Sequence, residues 1–239
     1  RMKRNIILRH EAIRFMREYL YDRGFLDIET PILMKSTPEG ARDYLVPSRL
    51  YPGKFYALPQ SPQQFKQLLM VGGIEKYFQI AKCFRDEDSR KDRQPEFTQL
   101  DIEMSFVEEE DVLNLLEDLF TSMIQKLKPE LKFNKPFPRI PFAEAMDKYG
   151  SDKPDLRFGL EISDLSDIAV QSEFAIFRSV VNEGGKVKGI NAPGCGNYTR
   201  SQLDELNALV QKLGAQGLLT ITLGSEAGEL NDLTMDKVK

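Results

Sequence analysis

The sequence predicts an α+β protein, with an antiparallel sheet flanked by helices and a second, smaller α+β module. Helical spacing of apolar residues covers 6–23 and 109–127. Between them, strand patterns at 77–84 and 96–106 enclose a charged loop, which is typical of an antiparallel hairpin. Strand and helix signals alternate again after residue 157, and they indicate the smaller module.

Proline and glycine mark the elements that precede the hairpin. The alternating segment 25–33 contains Pro31, which has no N–H to donate, so we expect an edge strand or one that stops pairing there. Residues 61–73 begin with Ser-Pro and end in Gly-Gly, and this pattern predicts a short helix. A loop at 37–47 and a strand expected at 55–60 complete this part of the chain.

The strand at 96–106 separates an apolar face from a polar face, because successive side chains of a strand point to opposite sides. The apolar face, which we expect in the core, consists of Leu100, Ile102, Met104 and Phe106. The opposite face carries Phe97, Gln99, Asp101, Glu103 and Ser105. The sequence therefore predicts a polar site on one face of the sheet.

The second half of the chain contains the expected domain boundary. A short helix at 142–150 ends at Gly150, and the following loop at 151–159 is rich in charged residues, glycine and proline. We place the boundary in this loop, with one domain at 1–156 and a smaller α+β domain at 157–239.

Composition excludes several classes of protein. The 239 residues include 33 basic and 37 acidic side chains, and a net charge of −4 argues against general coating of nucleic acid. No apolar run approaches the ~20 residues of a membrane span, and no export signal or disulfide pattern is recognisable, so we expect a cytoplasmic protein. His10 is the one histidine, which excludes a multi-histidine metal centre. The chain also has no Walker or Rossmann motif.

Arg85 and the polar face of the hairpin indicate a nucleotide site. Arg85 lies at a strand end, where the backbone sets its direction, and arginine binds phosphate through two parallel hydrogen bonds. Phe97 can stack on a base, and Asp101 and Glu103 can hold a ribose, an amino group or Mg²⁺. The alternative interpretation of the charged loop is a solvated hairpin tip.

Glu39 and the helix start at 61–66 indicate a second subsite. A helix N-terminus favours anions, and Lys66 adds a positive charge for a carboxylate. Glu39 can accept a hydrogen bond from an ammonium group. An amino acid with an acidic side chain therefore fits the subsite, with its ammonium group at Glu39 and a carboxylate at Lys66. The alternative is an ordinary helix cap with Ser61 and Gln63 at the surface.

Several of these segments, in this order, resemble those of the bacterial aspartyl-tRNA synthetases, which are class II enzymes. GFLDIETPIL with its preceding helix is similar to motif 1, and CFRDEDSRKDRQPEFTQLDIEMSF is similar to motif 2. TPEGARDYLVP and ALPQSPQQFKQ resemble the aspartate-pocket segments. YGSDKPDLR is similar to the run before the bacterial insertion, and residues 157–239 resemble the first part of that insertion, the GAD domain.

The resemblance implies a class II antiparallel sheet and ATP-dependent activation of L-aspartate to aspartyl-adenylate, followed by transfer to the 3′ end of tRNA-Asp. Arg85 would be the catalytic residue, on the α-phosphate and the substrate carboxylate. The implied aspartate-binding residues are Glu39, Ser61, Gln63, Lys66, Arg85, Asp101 and Glu103. The implied ATP-binding residues are Arg85, Asp86, Glu87, Gln94 and Phe97, and the implied tRNA contacts are Asp88, Arg90 and Arg93. We expect Lys66 to await a negative partner in the substrate, so that asparagine would leave its charge unpaired.

The family also has an anticodon-binding β-barrel, a motif 3 and a second half of the GAD domain, which no segment of this chain resembles. We therefore expect a fragment that is weak or inactive in aminoacylation by itself, with the main Mg²⁺ ligands outside it. A homodimer through motif 1 is implied. Two alternatives stay open: an inactive fragment or paralogue that binds tRNA or dimerises, and a ligase like the ammonia-dependent asparagine synthetase. Whether tRNA-Asn is also charged stays open.

Overall fold

The computed structural model describes residues 1–37, 39–88, 93–215 and 217–222 of the chain. Two compact units are present, one from Arg1 to Pro138 and one from Arg139 onward. The helices and strands of the first unit are α1 (Met2–Tyr21), β1 (Leu26–Asp27), β2 (Leu45–Pro47), β3 (Phe55–Ala57), α2 (Gln63–Val71), β4 (Lys76–Phe84), β5 (Glu96–Met104) and α3 (Glu109–Leu127).

A three-stranded sheet in the order β1-β4-β5 forms the centre of the first unit. β1 runs parallel to β4, whereas β5 runs antiparallel to β4 and forms the predicted hairpin with it. The register pairs the residues of one face with each other: Tyr77 with Glu103, Gln79 with Asp101, Ala81 with Gln99, and Cys83 with Phe97. The short strands β2 and β3 form a separate antiparallel pair.

The other face of the sheet packs against α1 and α3 and forms the core. The buried cluster consists of Tyr19, Leu20, Phe25, Phe78 and Leu119. Leu100, Ile102 and Met104 of β5 pack against this cluster, as the alternation of the strand predicted. The opposite face of the hairpin carries Tyr77, Gln79, Gln99, Asp101 and Glu103. Near the loop end, Lys82, Glu96 and Thr98 are on the same face as Phe78 and Leu100.

Phe106 does not continue the apolar face, so this prediction is wrong. β5 ends at Met104, and Phe106 is 94% exposed with a φ of 58°. The backbone enters the left-handed region at this residue, and the alternation of the strand therefore ends before it.

Two boundaries in the segment that resembles motif 1 differ from the sequence prediction. α1 begins at Met2 rather than at residue 6, because its first turns contain good helix formers such as lysine, arginine and methionine. β1 pairs only through Leu26 and Asp27, and Pro31 follows shortly afterwards, so the strand stops at the edge of the sheet as its proline predicted.

Asp118 connects α3 to the end of α1. Tyr19 donates a hydrogen bond to Asp118 Oδ2 at 2.7 Å, and Arg23 donates to the same oxygen at 3.1 Å. The guanidinium of Arg23 also lies 3.5 Å from the centroid of the Tyr19 ring. Burial and the hydrogen bond to Asp118 raise the pKa of Tyr19 to about 12, so its hydroxyl stays protonated and keeps this connection.

The second unit is a small α+β module, as predicted. Its elements are α4 (Phe142–Tyr149), a 3₁₀ turn (Leu156–Phe158), β6 (Ile162–Asp164), α5 (Ser166–Ala169), α6 (Ala175–Asn182), β7 (Lys188–Ile190) and α7 (Arg200–Lys212). β6 and β7 pair antiparallel. α7 begins with a capping box, in which the Thr199 N–H donates to Gln202 Oε1 at 2.9 Å and the Gln202 N–H donates to Thr199 Oγ1 at 3.4 Å.

The division between the two compact units lies between residues 138 and 139 of the chain, whereas the sequence placed the domain boundary between 156 and 157. The difference arises because α4 packs with the second unit. Tyr149 donates to Glu161 Oε1 at 2.9 Å, and Lys188 pairs with Asp147. The assignment of the two parts to a synthetase core and a GAD domain stays a prediction.

The last part of the chain is only partly described. Residues 217–222 form no strand, and residues 223–239 lie outside the described range, so the secondary structure expected there stays a prediction. Of the helices in the described ranges, none is both long and apolar enough to cross a membrane.

Candidate functional site

Lys66 forms a buried ion-pair cluster on the polar face of the sheet. Its Nζ lies 3.0 Å from Asp101 Oδ1 and 3.1 Å from Glu103 Oε2. Lys66 and Asp101 are each 9% exposed. Asp101 Oδ2 is buried and has no hydrogen-bond partner among the described residues. A buried carboxylate oxygen without a partner is costly, so it marks a point where a ligand donor can bind.

The electrostatics of this cluster differ from the sequence expectation. Burial raises the pKa of Asp101, and Lys66 opposes this rise only in part. Burial lowers the pKa of Lys66, but its hydrogen bonds to Asp101 and Glu103 outweigh burial, and the pKa is raised. Lys66 is therefore cationic. Its charge is thus already paired with two carboxylates of β5, and its role towards a substrate carboxylate stays a prediction.

Glu39 is a third acid close to the cluster. Thr37 donates to Glu39 Oε1 at 3.0 Å, and Ser61 donates to Oε2 at 2.8 Å. After burial and Lys66, the charges of Glu103 and Glu39 also affect the pKa of Asp101 and raise it, so Glu39 lies within electrostatic reach of Asp101. Each carboxylate oxygen of Glu39 retains a lone pair for a further donor.

Gln60 fixes the loop that carries Glu39. Gln60 is 2% exposed, accepts a hydrogen bond from the Ala41 N–H at 3.1 Å and donates one to the Ala41 carbonyl at 2.8 Å. It also donates to Asp43 Oδ1, and Ser36 donates to Asp43 Oδ2. A buried amide with its oxygen and its nitrogen both engaged holds such a loop in one conformation.

Tyr77, Gln79 and Thr30 also belong to the polar face, and the sequence analysis missed them. Tyr77 donates to Gln79 Oε1 at 2.8 Å, and Thr30 donates to the same oxygen at 2.9 Å. The two-residue period that was applied to β5 would have identified Tyr77 and Gln79 if applied to β4 as well. Thr30 has no such signal, because it lies beyond β1 and its position depends on tertiary packing.

The loop end of the hairpin opens into a groove of about 1030 Å³. The Arg85 guanidinium lies over the Phe97 ring, 5.0 Å from its centroid, so the candidate phosphate ligand and the candidate stacking residue are adjacent. Among the residues predicted to bind ATP or tRNA, those that line the groove are Arg85, Glu87, Asp88, Arg93, Gln94 and Phe97.

A further wall of the groove comes from residues that the sequence did not single out. Arg9 of α1 donates to Thr98 Oγ1 at 2.6 Å, and Lys82 pairs with Glu96 at 3.6 Å. All four side chains line the groove. Arg9 and Thr98 are 89 positions apart in the chain, so no local pattern could have connected them.

Backbone hydrogen bonds position the base of the hairpin loop. The Arg85 N–H donates to the Pro95 carbonyl at 2.8 Å, and the Asp86 N–H donates to the Arg42 carbonyl at 2.9 Å. Unlike the other candidate ATP residues, Asp86 is not among the described residues that line the groove. Gln63 begins α2, one turn before Lys66. Arg90, a predicted tRNA contact, lies outside the described residues.

The site offers charged groups and amides rather than a covalent nucleophile. In the described part of the chain, no group of three histidine, cysteine, aspartate or glutamate side chains is arranged to hold a metal. The His10 side chain is 71% exposed. Cys83 is buried and donates to Gln99 Oε1 at 2.9 Å, and burial raises the pKa of its thiol to about 11. The reactive thiolate is therefore scarce at neutral pH.

Comparisons with known proteins identify the family. Residues 1–221 match the family described as tRNA synthetases class II (D, K and N). The aspartate–tRNA(Asp/Asn) ligase of Dehalococcoides mccartyi is 66% identical over 238 residues, which cover 100% of this chain and 40% of the relative. The ligase of the same name from Rubrobacter xylanophilus is 59% identical over 218 residues, which cover 91% of this chain and 36% of the relative.

This chain spans about 40% of the length of the curated relatives it matches. A solved structure of the asparaginyl-tRNA synthetase of Entamoeba histolytica, in complex with asparaginyl-adenylate, is similar with a TM-score of 0.50 and 29% identity. The similarity covers 60% of this chain and 34% of that one. With a family match over residues 1–221, the chain belongs to the class II tRNA synthetases of the D, K and N group.

Proposed function

We propose that the complete protein containing these residues activates L-aspartate with ATP to aspartyl-adenylate and transfers the aspartyl group to the 3′ end of tRNA-Asp. The names of the two ligases and the adenylate in the related solved structure support this. The observation that carries the proposal is the buried oxygen Oδ2 of Asp101, which has no hydrogen-bond partner in the described part of the chain although Lys66 and Glu103 lie beside its carboxylate.

The acidic cluster fits the ammonium group of an amino acid. An ammonium donor at Asp101 Oδ2 would supply the missing hydrogen bond and reduce the excess of negative charge. Glu39 has remaining lone pairs for the same group. Lys66 has three N–H donors and uses two on Asp101 and Glu103, so the third is available for the side-chain carboxylate of aspartate. Ser61 and Gln63 complete this side of the subsite.

Arg85 and Phe97 fit the nucleotide. A carboxylate oxygen of aspartate attacks the α-phosphorus, the bond from that phosphorus to the bridging oxygen breaks, and pyrophosphate leaves. Arg85 is a permanent cation at the groove and would stabilise the charge that develops on the α-phosphate. Phe97 would stack on the adenine, with Glu87 and Gln94 at its rim. Asp86 would act through its backbone position rather than its side chain.

Mg²⁺ is expected to arrive with ATP, bound through the phosphates, where it would neutralise part of their charge. The described residues do not form a metal-binding group by themselves. The roles proposed for Arg85, Asp101 and Lys66 do not depend on it.

The remaining partners follow from the same assignment. Asp88 and Arg93 line the groove, and we expect them, with Arg90 of the same loop, to meet the 3′ end of the tRNA. The first half of α1 leaves Met2 and Ile6 exposed, at 77% and 62%, and these side chains support a homodimer through motif 1. The substrates of the reaction belong to the cytoplasm, and we propose that location.

Aspartate-dependent ATP–pyrophosphate exchange tests the proposal in the complete protein. We expect exchange with aspartate and none with asparagine. Asp101→Asn keeps the shape of the side chain but removes its charge, so the KM for aspartate should rise roughly 10- to 100-fold while the KM for ATP changes little. Asp118→Asn, which alters an aspartate of α3 outside the site, is the matched control and should leave both KM values unchanged.

Three other results would overturn the proposal. Failure of exchange with aspartate, together with tRNA binding, would favour an inactive tRNA-binding protein. Exchange followed by formation of free asparagine from ammonia would favour the ligase without tRNA. An equal rise of both KM values in Asp101→Asn would remove Asp101 from the aspartate subsite. Charging of tRNA-Asp and tRNA-Asn in parallel assays decides which of the two is the acceptor.

A further inference from the structure

The hydroxyl of Tyr77 is held by an amide on the polar face of the sheet. Tyr77 is fully buried, and its hydroxyl donates to Gln79 Oε1 at 2.8 Å. Thr30 donates to the same oxygen at 2.9 Å. A carbonyl oxygen has two lone pairs, so both are used and the proton of Tyr77 is directed to Gln79.

The sheet register places this hydroxyl donor among the acids of the cluster. Tyr77 lies opposite Glu103, and Gln79 lies opposite Asp101, all on the same face. Burial raises the pKa of Tyr77, and among the nearby charges Asp101 has the largest effect in the same direction. The hydroxyl therefore stays protonated and lies within electrostatic reach of Asp101.

Two acceptors near Tyr77 are in very different states. Gln79 Oε1 accepts from two hydroxyls, whereas Asp101 Oδ2 is buried and no described residue donates to it. A buried hydroxyl must donate to some acceptor, and a carboxylate is a stronger acceptor than an amide. If Gln79 did not accept this proton, the unpartnered oxygen of Asp101 would compete for it.

We propose that Gln79 is a positioning residue that accepts the Tyr77 hydroxyl and thereby reserves Asp101 Oδ2 for the ammonium group of the substrate. This inference rests on the proposed function, in which Asp101 binds that group. Gln79 itself does not touch the substrate. By accepting the Tyr77 hydroxyl, Gln79 leaves Asp101 Oδ2 available to the ammonium group of the substrate.

Three variants of the complete protein test this with the pyrophosphate-exchange assay. Gln79→Met removes the acceptor and releases the Tyr77 hydroxyl to Asp101, so we expect the KM for aspartate to rise by about tenfold with the KM for ATP unchanged. Tyr77→Phe removes the competing donor and should leave the KM for aspartate at the wild-type value. The double variant has neither group, so its KM for aspartate should return close to that value.

Thr30→Val is the matched control. It removes the other hydroxyl from Gln79 but leaves Tyr77 on the same oxygen, so the KM for aspartate should not change. Thermal unfolding of each variant shows whether it folds. If Gln79→Met does not fold, Gln79→Leu replaces it as the apolar variant.

The inference is overturned if the double variant keeps the raised KM of the single Gln79 variant, because the effect would then not pass through Tyr77. It is also overturned if Gln79→Met leaves the KM for aspartate unchanged, or if Thr30→Val raises it equally. Wild-type protein without aspartate-dependent exchange would instead contradict the proposed function, so the two failures are distinguishable.

Discussion

Lys66 is the residue on which the buried cluster depends, because Asp101 and Glu103 share it as their cation. Breaking a buried ion pair leaves an uncompensated charge and typically costs ~3–5 kcal/mol. We expect Lys66→Met to lower the free energy of unfolding by about 3 kcal/mol at neutral pH, measured by urea denaturation. Lys148→Met, which removes an exposed pair with Glu144 at 2.8 Å, is the matched control and should change stability very little.

The loss of unfolding free energy in Lys66→Met should become smaller as the pH is lowered. Burial raises the pKa of Asp101, and the variant lacks the lysine that opposes this rise. An acid with a higher pKa in the folded state binds more protons when folded. Its contribution to stability is therefore fully present below the unfolded pKa, ~3.9 for Asp, and is lost as the pH rises through the folded pKa. Urea denaturation of both proteins from neutral pH to about pH 4 measures this, and a deficit independent of pH would contradict it.

At the scale of elements, the junction between β5 and α3 carries local strain at Phe106. Its φ of 58° is unfavourable for a residue with a β-carbon, and the side chain is 94% exposed, so almost no burial is lost when it is removed. We expect Phe106→Gly to raise the free energy of unfolding by about 1 kcal/mol, measured by urea denaturation.

Val107→Gly is the control for the Phe106 substitution. Phe106 is the one non-glycine residue with positive φ among the described residues, so glycine at 107 relieves no strain. Glycine there adds freedom to the unfolded chain and should lower stability by roughly 0.5–1 kcal/mol. Equal destabilisation by both glycines would show that Phe106 is not strained.

The elements with strong periodicity or clear end signals were predicted well. The helix expected at 109–127 is confirmed as α3 with the same bounds, and its acidic first turn favours this start. The hairpin is confirmed, because β4 and β5 pair antiparallel along their whole length. β1 is much shorter than the alternating segment at 25–33, since pairing needs a neighbouring strand and a free N–H as well as a pattern.

At the scale of the whole molecule, the first unit contains its own core. The buried cluster of Tyr19, Leu20, Phe25, Phe78 and Leu119 lies entirely within residues 1–138. We therefore expect a protein of residues 1–138 to fold by itself and to unfold cooperatively on heating, with circular dichroism as the measurement. A protein of residues 1–156 should have the same unfolding midpoint, because α4 packs with β6.

The matched pair of fragments separates the two boundaries. If residues 1–156 fold and residues 1–138 do not, the folding unit ends at the boundary that the sequence placed at 156. If both fold alike, the connector before α4 is the boundary, and residues 139–156 belong with the smaller module.

The residues of the polar face that the sequence singled out and those that it missed differ in one respect. Arg85, Phe97, Asp101 and Lys66 were identified because each lies in a recognisable local pattern. Arg9 and Thr30 were missed because they contact the hairpin from distant segments. Local patterns show which residues share a face of one element, but they do not show which other element covers that face.

Strand and helix periods in the local chain predicted the α+β fold class and the hairpin with its polar face, and the resemblance to the family implied most of the candidate ligands. The tertiary structure alone decided how these ligands are partnered. It placed Lys66 between two acids and left Asp101 Oδ2 without a donor. It also directed the Tyr77 hydroxyl to Gln79. Charge pairing and hydrogen-bond competition depend on distances between segments that are far apart in the chain, and only folding brings these segments together.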